Sequence, residues 1–111
     1  MAPKVELIYD RDCPHVEKAR ESLRRAFAEA QIPPVWTEWE RGADASPPYA
    51  RAFGSPTILV EGRDVAGAEP AAGSDCCRLY REGALLAGAP PAALVADALR
   101  RAVNSQDLAP R

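Results

Sequence analysis

The sequence predicts an α/β fold from three observations. Residues 5–9 read as a strand, residues 14–30 carry apolar positions at helical spacing, and residues 35–40 alternate again, which is the pattern of a βαβ unit with parallel strands. Ile58-Leu59-Val60 is a continuous apolar run suited to a central strand buried on both faces. A closing segment with Leu94, Val95, Ala98, Leu99, Ala102 and Val103 at helical spacing reads as a last helix. A chain of 111 residues, 47% hydrophobic and 27% charged, has room for one domain with a modest core.

The first strand is expected because Val5, Leu7 and Tyr9 alternate with Lys4 and Glu6 ahead of Ile8. Val16, Ala19, Leu23, Ala26, Phe27 and Ala30 then recur on one helical face, so the helix is expected from Pro14 to about Ala30. Pro14 suits the first helical position, where a missing N–H costs no bond, and this makes Cys13 the N-cap. A sulfur there would face the free N–H groups of the first turn and the positive end of the macrodipole, both of which favour thiolate over thiol. A protonated His15 would act the same way, whereas Asp10, Asp12 and Glu17 oppose it. The alternative is a buried, inert cysteine packed as a small hydrophobe.

Gln31-Ile32-Pro33-Pro34 should stop the helix. In the second strand Val35, Thr37 and Trp39 fall on one face, and Trp36, Glu38 and Glu40 on the other, as in a half-exposed edge strand. Core packing is expected for Trp39, and Trp36 beside two glutamates is a poor base-stacking platform. Ser46-Pro47-Pro48 reads as an N-cap followed by a short helix over residues 47–53, ended by Gly54. Pro56 at the mouth of the third strand belongs at its first position or in a tight turn, a setting in which cis bonds occur. Glu61-Gly62-Arg63-Asp64 reads as a turn, and residues 76–80 as the fourth strand, followed by a turn at Glu82-Gly83. Gly88-Ala89-Pro90-Pro91 leads into the last helix, with Arg100 and Arg101 expected at its C-terminal end. The domain is expected to cover residues 1–104, with residues 105–111 as a frayed tail.

Composition excludes several classes of function. A net charge of −2 carries no electrostatic footprint for nucleic acid or an anionic membrane. The apolar run at residues 5–9 is too short and interrupted for a signal peptide, and no run approaches the ~20 residues that span a bilayer. A reducing cytoplasm is therefore the expected compartment, in which the three cysteines read as reactive, metal-binding or incidental rather than as structural disulfides.

Cys13-Pro14 at a strand–helix junction, Gly54-Ser55-Pro56-Thr57 ahead of a strand, and Cys77-Arg78-Leu79-Tyr80 together resemble the thioredoxin superfamily. The likeness is to small bacterial thioredoxin-like proteins that keep one active-site cysteine, some of which carry alkylmercury-lyase labels; it covers about residues 3 to 104. It implies a four-stranded mixed sheet of order 2-1-3-4, with the third strand antiparallel to the first two and helices on both faces. It also implies that Cys13 is the attacking cysteine, with His15 beside it, and that Pro56 is the cis-proline lying against that sulfur. Ser55 would then offer its backbone N–H and C=O to an extended thiol partner. Pro14-His15 resembles the dipeptide between the cysteines of disulfide oxidases with a stabilised thiolate.

Departures from that pattern narrow the function. Val16 stands where a dithiol enzyme has its resolving cysteine, Leu7 where thioredoxins bury a carboxylate, and Asp12 where they have tryptophan. What remains is a monothiol mechanism through a mixed disulfide with glutathione or with a thiol- or disulfide-bearing protein, without a cofactor. A fourth strand over residues 76–80 would begin at the far end of the sheet, ~13 Å from Cys13 at ~3.3 Å per residue. That exceeds the ~7 Å Cα limit for a disulfide, so Cys76 and Cys77 are secondary thiols unless the long preceding loop brings them back. Three cysteines and one histidine without paired-ligand spacing do not read as a structural zinc site. Two further readings stay open. One is soft-metal or organomercury handling at Cys13 with a second thiol; the other is a non-catalytic module whose groove between Pro14, Pro56 and Gly88 binds a peptide or builds a homodimer.

Overall fold

In the computed structural model, residues 2–67, 78–82 and 85–107 are described. Strand β1 (Val5–Tyr9) is followed by helix α1 (Val16–Ala30) and strand β2 (Thr37–Glu40). β2 lies parallel to β1, with Ile8 opposite Trp39. A 3₁₀ helix (Pro48–Ala52) leads to strand β3 (Thr57–Val60), which runs antiparallel to β1 with Leu7 opposite Ile58. Strand β4 (Arg63–Asp64) completes a sheet of order β2-β1-β3-β4. A separate hairpin pairs β5 (Tyr80–Glu82) with β6 (Leu85–Ala87), and helix α2 (Ala92–Asp107) ends the described chain.

The sheet order and strand directions match expectation, but the fourth strand is a different piece of chain. The turn after β3 uses only two residues, Glu61 at φ 52° and Gly62 at φ 80°. Two successive left-handed residues twist as a strand pair does, so the chain folds straight back and Arg63–Asp64 pairs with Leu59 and Val60. The expected strand over residues 76–80 is corrected at its described end, because Arg78 and Leu79 precede β5 and Tyr80 pairs with Ala87 outside the main sheet.

Alternation along β1 and β3 divides the core. Val5, Leu7, Ile58 and Val60 face Ala19, Leu23, Ala26 and Phe27 of α1, and Val95, Ala98 and Leu99 of α2, all buried. Both α-helices thus share one face of the sheet. Ile8 and Leu59 point to the other face, where Ala50 and Phe53 cover them and Trp39 packs alongside. Among the described residues only the 3₁₀ segment supplies helix there, a five-residue stretch beginning at Pro48.

Several boundaries differ from the sequence reading. α1 begins at Val16 with His15 as its N-cap, and Pro14 lies in the preceding turn. It ends in a Schellman arrangement: Gln31 takes φ 57°, its N–H reaches the Ala28 carbonyl, and the Ile32 N–H reaches that of Phe27. Ser46 does not cap the 3₁₀ helix; its hydroxyl donates to the Glu40 carbonyl at 2.6 Å and Pro47 takes the cap position. α2 continues to Asp107, so Arg100 and Arg101 sit mid-helix and the expected tail from residue 105 begins as helix. Among the described residues, no helix is long and apolar enough to cross a membrane.

Candidate functional site

The turn that carries Cys13 follows directly from β1. Its backbone N–H donates to the Asp10 carbonyl at 3.0 Å, closing residues 10–13 into a turn before the helix starts. Cys13 is therefore not the N-cap, as the sequence suggested, but stands two residues ahead of it. The capping site falls to His15, whose carbonyl accepts the Ala19 N–H at 3.1 Å. Cys13 is 8% exposed.

Asp10 ties this turn to the next strand. Its N–H donates to the Ser55 hydroxyl at 2.8 Å, and its carboxylate receives the Arg41 guanidinium at 3.0 and 3.1 Å. The Ser55–Pro56 peptide is cis, and both residues are buried. The fold thus brings the Cys13 turn and the Ser55-Pro56 segment to the same end of neighbouring antiparallel strands. Gly88 is also buried, against the His15 ring. Of the three prolines and glycines expected to line a groove, only Pro14 is exposed.

The side of Ser55-Pro56 away from β1 is occupied by the chain itself. Arg78 N–H donates to the Ser55 carbonyl at 2.8 Å, and the Tyr80 hydroxyl donates to the Pro56 carbonyl. The Arg78 guanidinium donates to Thr57 Oγ1 at 2.9 Å and Asp64 Oδ2 at 2.7 Å, and lies 4.6 Å from the Tyr80 ring centroid. The Asp64 side chain is fully buried, so this ion pair is shielded at its acidic end. Burial pushes the Tyr80 phenol well above its ordinary range. Ser55 therefore does not hold its carbonyl out to a partner strand, contrary to the role the resemblance implied.

Sequence reading missed this cluster of Thr57, Asp64, Arg78 and Tyr80. Its only signal was an arginine in an otherwise strand-like stretch, a residue that enters a protein interior only when paired. Cys76 and Cys77 lie outside the described residues. What the described residues correct is the premise for setting them far away: Arg78 returns to the Ser55 end of β3 instead of starting a strand at the opposite end.

A second buried network went unread. Glu6 is 1% exposed on β1, where Trp39 Nε1–H donates to its Oε2 at 2.8 Å and the Tyr49 hydroxyl donates to the same oxygen. On the helical face, Arg20 makes a two-pronged contact with Glu38 at 2.8 and 3.0 Å, and the Trp36 N–H joins it at 3.0 Å. Trp36 also stacks on Phe27, with ring centroids 6.0 Å apart. Both tryptophans are thus committed to packing, with their N–H groups satisfied.

Two grooves lie away from Cys13. One, of about 250 Å³, runs between Lys18, Ser22 and Arg25 on α1 and the segment from Ala89 to Ala93. The other, of about 650 Å³, lies between the β3–β4 turn and Ala98, Arg101 and Ala102 of α2. Among the described residues no cluster of three or more histidine, cysteine, aspartate or glutamate side chains is placed to hold a metal. Fold and site together define an α/β domain with a mixed four-stranded sheet and a single described cysteine at the end of its first strand. Comparison with protein-family models, with curated proteins and with solved structures returned no match.

Proposed function

We propose that this chain carries out thiol–disulfide exchange by a monothiol mechanism centred on Cys13. The observation that carries the reading is the junction of the Cys13 turn with the Ser55-Pro56 segment through the Asp10–Ser55 hydrogen bond. The Cys13 thiolate attacks one sulfur of a disulfide, the S–S bond breaks, and a mixed disulfide forms. The departing thiolate keeps the electron pair and takes a proton from solvent. Val16 provides no second sulfur, so a further thiol resolves the mixed disulfide. His15, the N-cap residue of α1 with its ring against Gly88, favours the Cys13 thiolate in this reading through its positive charge when protonated.

Incubation with oxidised glutathione followed by peptide mapping tests the reading. One adduct is expected at Cys13, absent from Cys13→Ser, with the fold unchanged by circular dichroism. Modification of Cys13 only after denaturation would instead support a non-catalytic module. Retention of Hg(II) against excess thiol, without an adduct, would support soft-metal handling.

A further inference from the structure

A partner that extends along Ser55-Pro56 needs the Ser55 carbonyl as an acceptor, because backbone pairing is how an added strand gains affinity. That carbonyl is already bonded to Arg78 N–H, and the next carbonyl along, that of Pro56, is bonded to Tyr80. The segment holding them is fastened at two further points, Thr57 and Asp64. The Arg78 guanidinium reaches Thr57 and the buried Asp64 carboxylate and lies over the Tyr80 ring, itself 3% exposed. A polypeptide would have to displace all of these contacts together. The cysteine it seeks is itself buried, at 8% exposed.

We propose that residues 78–80 act as a built-in segment that closes the Ser55-Pro56 stretch to extended polypeptides and leaves Cys13 to low-molecular-weight disulfides needing no backbone pairing there. This rests on the thiol-exchange reading and deepens it by naming the substrate class. The reaction is a single exchange. Cys13 sulfur bonds to one half of the small disulfide and is oxidised, while the other half leaves as thiolate, is reduced, and is protonated by solvent. A second small thiol then regenerates Cys13, releasing a disulfide. Arg78 and Tyr80 touch neither sulfur and act as positioning residues.

The experiment compares rates of mixed-disulfide formation at Cys13 for two probes, each normalised to its rate with free cysteine. One is bis(2-hydroxyethyl) disulfide; the other is an extended peptide with a central cysteine, disulfide-linked to an identical copy. The wild-type chain should favour the small probe by about tenfold or more, the scale of one or two hydrogen bonds that must be broken for the peptide to dock. Arg78→Ala should shift that ratio about tenfold toward the peptide. Tyr80→Phe removes only the hydroxyl bond to Pro56 and should shift the ratio the same way by a smaller factor. It keeps the test decisive if Arg78→Ala does not fold. A wild-type ratio equal to that of free cysteine, or a ratio unmoved in the folded variants, overturns the proposal. Cys13 inert to both probes in the native chain would instead remove the exchange reading itself, and this inference with it.

Discussion

Gly88 and His15 are packed so closely that a β-carbon added to Gly88 would stand 2.3 Å from Cγ of the His15 ring. No real contact is that short, so the ring of His15, the N-cap residue of α1, packs where it does only because position 88 carries no side chain. Gly88→Ala should displace the ring and cost about 1–3 kcal/mol of stability, as overpacking does. Urea denaturation measures it. His15→Ala should remove most of the added cost in the double variant, because the two effects share one contact.

Arg78 neutralises the Asp64 carboxylate, whose side chain is fully buried. Removing the cation takes a close ion-pair partner from that buried carboxylate. Arg78→Ala should therefore destabilise the chain by about 3 kcal/mol, with Asp64→Asn in the same background recovering part of the loss. Recovery is expected to be partial, because Asp64 Oδ1 also accepts the Ala66 N–H at 3.0 Å. The denaturant midpoints of the single and double variants decide this.

Tyr49 donates to the buried Glu6 carboxylate, and that hydrogen bond is the main reason its phenol is pushed up to about 12. A raised folded value means the protonated phenol is favoured in the fold. Its contribution to stability is whole below the unfolded value of about 10 and is lost as pH rises through about 12. Ultraviolet titration of the tyrosinates should show this late transition in the wild type. In Tyr49→Phe the late amplitude should fall by one phenol, leaving that of buried Tyr80, and in Glu6→Gln the Tyr49 step should move back toward the ordinary range.

Glu38 behaves oppositely. The Arg20 guanidinium holds its carboxyl below the usual range, with the Trp36 N–H helping and partial burial working against them. A depressed folded value places the stabilisation above the unfolded value of about 4.3, and it is lost as pH falls through the folded one. Wild type should exceed Glu38→Gln in stability by up to about 1 kcal/mol near neutrality. The gap should close in acid, as read by urea midpoints across that range.

The helical faces were legible because periodicity is local. Ala19, Leu23, Ala26 and Phe27 are buried as their spacing required, and so are Val95, Ala98 and Leu99. The same holds for Ile58, Leu59 and Val60, whose unbroken apolar run left no face for water. The site was legible in part: a cysteine ending β1, and a proline preceding β3 at the same end of the sheet, follow from element order once the two strands pair. Its electrostatics were not. Whether α1 starts at Pro14 or Val16 depends on the turn closed between Asp10 and Cys13, and that turn moved the capping role from the sulfur to His15.

By itself, then, the sequence determined the first two strands, the third strand and both α-helices, and the buried stripe of each helix, since neighbouring residues in one element impose that pattern on one another. Only the tertiary structure decided that Arg63–Asp64 rather than residues 76–80 would be the fourth strand, that Glu6 would be buried, and that Arg78 would bond to Ser55. These outcomes join residues far apart in the chain. They depend on how tightly it reverses at Glu61-Gly62 and on which segment reaches an unpaired carbonyl first, and local spacing does not encode either.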